Sequence, residues 1–79
     1  MMQTEEIEAI LNEKFPGSVL GVLDMTGTSD HFEVRISWAG FQGKGLIEQH
    51  RLINEALKAQ IADGSIHALK IKTSVPSAG

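Results

Sequence analysis

Residues 31–38 read His31-Phe32-Glu33-Val34-Arg35-Ile36-Ser37-Trp38, with an apolar side chain at every second position. Successive side chains of a strand point to opposite faces. The alternation therefore puts Phe32, Val34, Ile36 and Trp38 on one side and His31, Glu33, Arg35 and Ser37 on the other, which predicts a half-buried strand. Such a strand needs pairing partners and a layer to cover its apolar face, and the flanking sequence supplies both.

Upstream, residues 18–24 (SVLGVLD) form a short apolar run that predicts a second strand. The polar loop over 25–30, around Gly27, is short enough to make the two an antiparallel hairpin. Further upstream, Ile7, Ile10, Leu11 and Phe15 recur at helical spacing. Thr4 is the expected N-cap, and Glu5 and Glu6 then occupy the first turn, where the positive end of the helix dipole favours acids. Pro16-Gly17 ends this helix, because proline cannot continue the hydrogen-bond ladder.

Downstream, Gly40-Phe41-Gln42-Gly43-Lys44-Gly45 interrupts the periodicity. Helical spacing then resumes, with Leu46, Ile47, His50, Ile53, Leu57 and Ile61 on one predicted apolar face. This segment is one helix or two, with Asn54 as the possible break. Asp63-Gly64 closes it, Gly64 being suited to the left-handed position after a helix C-terminus. Residues 66–73 alternate again and predict a third strand. The fold class expected is α+β, a three-stranded sheet with helices on its apolar face, formed by a single domain over 1–79. Its ordered core is expected over about 4–73, with a flexible tail at 74–79.

Composition narrows the function. The chain has 79 residues, no cysteine and a net charge of −3. No disulfide framework or thiolate chemistry is available from this chain, and the lack of cysteine points to a reducing compartment, with the cytoplasm expected. No apolar run approaches a membrane span, so no membrane association is expected. Acids dominate residues 1–34 and bases residues 35–79, compatible either with one basic surface or with scattered solvated lysines.

No catalytic machinery is visible, and the expectation is a binding protein, not an enzyme. A P-loop fails because the position five before Gly43 is Trp38. Gly40-Phe41-Gln42-Gly43 spells the Gly-x-x-Gly of nucleotide-clamping loops, but it follows a strand, which favours a plain strand-to-helix turn. Glu33 and Glu48 read as ordinary surface carboxylates. His31, His50 and His67 are the metal-competent nitrogens, and their spacing matches no contiguous zinc motif. His50 lies on the predicted apolar face and reads as a buried structural histidine. His31 is divided between solvent and a site. His67 stands at the mouth of the third strand, where position alone favours an ordinary surface role over a ligand.

Four segments in register carry a resemblance: Asp30-His31-Phe32-Glu33-Val34, Phe41-x-Gly43-Lys44, His50-Arg51-Leu52-Ile53-Asn54 and Ile66-His67-Ala68-Leu69. Together they resemble the BolA family over about residues 4–76. The resemblance implies an α-β-β-α-α-β order with KH-like (class II) topology, and so two helices in the second half. It also implies an adaptor in iron–sulfur metabolism that binds a monothiol glutaredoxin and shares a [2Fe–2S] cluster with it and with glutathione, holding no cofactor when alone as a monomer or weak dimer.

On that resemblance His67, in the Ile-His-Ala motif, is the cluster ligand. The family's second ligand, a His or Cys of the loop between the first two strands, has no counterpart within 25–29, and His31 is the nearest substitute. Lys44 and Arg51 are candidates for contacts with acidic groups of glutathione or the partner, although simple solvation accounts for them as well. The family's Arg-His-Arg is Gln49-His50-Arg51 here, and its C-terminal acid and tryptophan are absent from Val75-Pro76-Ser77-Ala78-Gly79. The alternative reading is a nucleic-acid-binding transcriptional regulator using the KH-like helix pair, against which an acidic pI near 5.5 weighs.

Overall fold

The computed structural model describes residues 2–76. Helix α1 (Thr4–Lys14) leads into strands β1 (Val19–Asp24) and β2 (His31–Ser37). A 3-10 turn (Ala39–Phe41), helix α2 (Leu46–Ala56), helix α3 (Lys58–Ala62) and strand β3 (Ala68–Ser74) follow. The sheet order is β1-β2-β3, with β2 antiparallel to β1 and parallel to β3. The α+β class and the expected element order hold, and the second helical segment is two helices. The parallel pairing requires a crossover, which α2 and α3 provide. Among the described residues no helix is long and apolar enough to cross a membrane.

The core lies between the helices and one face of the sheet. Phe32, Val34 and Ile36 of β2 pack with Ile7 and Leu11 of α1, with Ile53 of α2 and with Leu57, Phe41 and Ile66, all buried. Three aromatic rings close the end of the sheet away from His31. Trp38 meets Phe15 edge-on at 5.0 Å between centroids and Phe41 at 5.2 Å, and its indole N–H donates to the Pro16 carbonyl at 2.9 Å. The Trp38 ring lies against Gly40, where a Cβ would stand 2.5 Å from a ring carbon. This is why the turn carries glycine there, whereas Gly43 is needed for its positive φ of 83°.

Several expectations change in the folded chain. The α1 N-cap is Gln3, one residue before Thr4, and the Glu6 carboxylate reaches back to accept the Gln3 amide at 3.3 Å. The break between the second and third helices falls at Leu57, not Asn54, whose side-chain amide instead donates to the His50 carbonyl one turn back at 3.1 Å. Ser74, assigned to the tail, is the last residue of β3, and its carbonyl accepts the Trp38 amide at 3.1 Å. Residues 77–79 of that tail lie outside the described residues.

The largest correction concerns α2. Ile53 and Leu57 are fully buried, but Leu46, Ile47 and Ile61 are 63%, 78% and 39% exposed. Ile47 stands six positions before Ile53, which at 3.6 residues per turn places them about 120° apart. The break at Leu57 likewise uncouples Ile61 from the α2 stripe. His50, near the border of that stripe, is half-buried, and none of the described side-chain hydrogen bonds involves its ring. It is therefore not the buried structural histidine expected.

Glu33 is corrected in the opposite sense. It faces away from the helices yet is only 6% exposed, because Arg35 and Lys70 close over it. Arg35 Nε donates to Glu33 Oε2 at 2.6 Å, and Lys70 Nζ lies 3.8 Å from Oε1. The hydrogen bond from Arg35, reinforced by the positive charge of Arg35, Lys72 and Lys70, holds the Glu33 carboxyl below the ordinary glutamate range.

Three outcomes follow. Gly40→Ala should destabilise the fold by about 1–3 kcal/mol in urea unfolding, because the Trp38 ring must move. His50→Ala should cost under about 1 kcal/mol, against about 2–5 kcal/mol for Ile53→Ala at a fully buried site. For Glu33, a carboxyl lowered in the folded state stabilises fully above the ordinary glutamate range, and that stabilisation is lost as pH falls through the lowered value. Urea midpoints measured from neutral to acid pH should fall less steeply in Glu33→Gln than in the wild type.

Candidate functional site

The end of the sheet opposite the aromatic cluster brings together two histidines that lie 36 positions apart in sequence. His31 is the first residue of β2, and its register partner in β3 is Ala68, so His67 lies just ahead of β3 beside it. The two imidazoles stack with centroids 5.8 Å apart and planes inclined by 22°. His67 is exposed and His31 is partly so.

Asp30 organises the pair. Its backbone carbonyl accepts the amides of His67 at 2.7 Å and Ala68 at 3.1 Å, which ties the start of β3 to the start of β2. Its carboxylate Oδ1 lies 2.7 Å from Nδ1 of His31 and also accepts the Thr28 hydroxyl. These two hydrogen bonds, that of Thr28 first and that of His31 second, hold the Asp30 carboxyl below the usual aspartate range. With Nδ1 engaged by a carboxylate, His31 is oriented and its Nε2 has no hydrogen-bond partner among the described residues, the arrangement that second-sphere carboxylates give to metal-binding imidazoles.

The loop over 25–30 is built to deliver Asp30 to this position. The Asp24 carboxylate accepts the amides of Gly27 and Ser29, each at 3.0 Å, and the chain turns through positive φ at both, 74° and 61°. Helix α3 delivers His67 in a comparable way. Gly64 takes the left-handed conformation expected of it, φ 85°, Asp63 Oδ1 accepts the Ser65 amide at 2.8 Å, and buried Ile66 anchors the chain immediately before His67.

As a metal site this would be incomplete. Two imidazoles stack beside each other, and among the described residues no group of three or more His, Cys, Asp or Glu side chains is placed to hold a metal ion.

The other sequence-predicted residues stand apart. Lys44 follows the far end of β2, and the run from His31 to Ser37 alone spans about 20 Å at ~3.3 Å per residue. It is half-buried, and its backbone carbonyl accepts the Gln49 side-chain amide at 2.7 Å. Arg51 is exposed on α2 and lines a surface groove with Ile47, His50, Asn54 and Glu55. The fold thus pairs His31 with His67 and joins neither lysine nor arginine to them. Sequence reasoning missed the role of Asp30, for which its position directly before His31 was the available signal. It also missed Glu33, whose main partner Arg35 lies two residues on along the same strand face, while Lys70 and Lys72 come near it only once β3 is paired.

Comparison with known proteins agrees with this architecture. The family model for BolA-like protein matches residues 10–78. An uncharacterized protein of Rickettsia prowazekii is 42% identical over 76 residues, covering 95% of this chain and 97% of its own. Protein BOLA2 of Arabidopsis thaliana is 40% identical over 73 residues, covering 91% and 76%. Among solved structures, the BolA domain of SufE1 from Arabidopsis thaliana superposes with a TM-score of 0.82 at 33% identity, covering 92% of this chain and 91% of that one. With the family model matching most of the chain and the fold shared with a solved BolA domain, this chain belongs to the BolA-like family.

Proposed function

We propose that the protein is a non-catalytic adaptor in iron–sulfur metabolism that binds a monothiol glutaredoxin and joins it in holding a [2Fe–2S] cluster. The observation that carries this reading is the His31–His67 pair, two imidazoles 5.8 Å apart in a chain with no cysteine. Such a pair fits one side of a shared cluster, with His67 and His31 as this chain's ligands and sulfur ligands supplied by the glutaredoxin and by glutathione. Imidazole in place of thiolate would reduce the cluster's negative charge and raise its potential. On this reading the chain alone carries no cofactor. A reducing compartment, the cytoplasm, suits both the cluster and the absence of disulfides.

This chain's own residues have definable tasks. Asp30 sets the orientation of His31 through its carboxylate and the position of His67 through its carbonyl. Arg51, exposed on α2, remains available to an acidic partner group, whereas Lys44 lies at the far end of the sheet from the histidines. Nucleic-acid binding through the helix pair draws less support, because Arg51 and Lys58 are exposed there beside Glu48 and Glu55 and present no basic surface for phosphates.

Cluster-loaded monothiol glutaredoxin with glutathione, titrated with this protein and followed by visible circular dichroism, tests the reading. Wild type should convert the spectrum to that of mixed nitrogen and sulfur ligation. His67→Ala should leave the spectrum of glutaredoxin alone, with its urea midpoint unchanged, since the side chain is exposed. His31→Ala should weaken the conversion and His50→Ala should not affect it. A His67→Ala protein that gives the wild-type spectrum would show that the pair is not the ligand set.

A further inference from the structure

The helices cover one face of the sheet and leave the other open. The strand registers order the open face in rows: Val19–Ser37–Ser74, Gly21–Arg35–Lys72, Leu23–Glu33–Lys70 and, at the end, His31–Ala68. Along β1 the face is apolar, with Val19 76% and Leu23 59% exposed. Along β2 and β3 it is basic: Arg35, Lys70 and Lys72 are exposed, and Glu33 is the one acid among them. A cationic face is thus set into a chain whose net charge is −3.

Gly21 has no explanation in the fold. The β1–β2 register runs through it without a bulge, its φ is not positive, and a Cβ built there would meet nothing within 4 Å. Glycine weakens a strand interior, and where neither bulge nor bend requires it, the remaining use is close approach of another chain or a ligand. Shallow grooves of 480 and 330 Å³ lie on the two sides of Gly21, and Arg35 borders both. The first runs beside Val19 and Lys72, the second beside Leu23 and Glu33.

We propose that this open face docks an acidic, amphipathic segment of a protein partner. An apolar side chain seats over Gly21 between Val19 and Leu23, and flanking carboxylates meet Arg35, Lys70 and Lys72. The apolar half of the face selects a polypeptide over a nucleic acid. Phosphates gain nothing from Val19 and Leu23, and the body of the face offers no Phe, Tyr or Trp on which bases could stack. The proposal does not rest on the cluster reading, since His31 and His67 stand at one end of the face and outside the contact described.

The test is an NMR titration of the isotope-labelled full chain with a synthetic peptide of alternating glutamate and leucine, beside its lysine-for-glutamate counterpart and an oligothymidylate. Amide shifts should move at Gly21, Leu23, Arg35, Lys70 and Lys72. Affinity for the acidic peptide should fall by about tenfold between low and physiological salt, as exposed charges are screened. The double variant Lys70→Glu, Lys72→Glu should lose binding. Gly21→Val, which fills open space with a strand-favouring side chain, should melt no lower than wild type and also lose binding. His67→Ala should bind the peptide as wild type does, which separates this proposal from the cluster reading. Absence of peptide binding, shifts confined to α2, undiminished binding by Gly21→Val, or tighter binding of the lysine peptide or the oligothymidylate at this face would each overturn it.

Discussion

The carbonyl oxygen of Asp30 accepts two amides, those of His67 and Ala68, and so marks where the parallel ladder between β2 and β3 begins. Much of the molecule depends on that junction. A parallel neighbour cannot be reached by a tight turn, so the chain must leave the top of β2, cross over the sheet and return to its bottom. The 3-10 turn, α2 and α3 are that crossover, and their apolar residues cover the face displaying Phe32, Val34 and Ile36. The same junction sets His31 opposite Ala68 and leaves His67 immediately before it. Fold and candidate site thus share one structural cause.

The two ends of the sheet are specialised. At the end where β2 finishes, Trp38 packs edge to face with Phe15 and with Phe41, those two rings meet at a tilt, and the three tie α1 to the start of the crossover. Phe15 and Phe41 are buried there and Trp38 is partly so, in a domain whose surface is high relative to its core. At the other end, polar interactions prevail: Asp24 holds the hairpin loop, Thr28 and His31 hold the Asp30 carboxylate, and Asp63 caps the turn that leads to His67. The packed end is apolar, and the polar end presents imidazole nitrogens at the surface on a hydrogen-bonded backbone.

The sheet's one-sidedness follows from having three strands and one helical layer. In a larger α/β protein a second layer would cover Val19 and Leu23. Here Arg35 and Lys70 extend over Glu33, which keeps a carboxylate in place on the open side by charge instead of by apolar packing. The outcome is an accessible face that is apolar along β1 and basic along β2 and β3.

Much of this was legible in the sequence because it is local. The period-two pattern of His31–Ser37, the helical stripe of α1 and the left-handed Gly64 each arise from constraints spanning a few residues, and each holds in the structure. The four family segments added the two-helix crossover and singled out His67, and with His31 they named both members of the pair. Other properties depend on neighbours far away in the chain. Periodicity cannot tell which part of an amphipathic stripe finds a sheet beneath it, so Leu46, Ile47 and His50 read as buried and are not. Nor can it give the direction of β3, which alone decides that Lys70 stands beside Glu33 and that His67 stacks on His31. The sequence by itself determined the elements and the candidate ligands. The tertiary structure decided which side chains meet, because strand direction and register bring into contact residues that local patterns cannot relate.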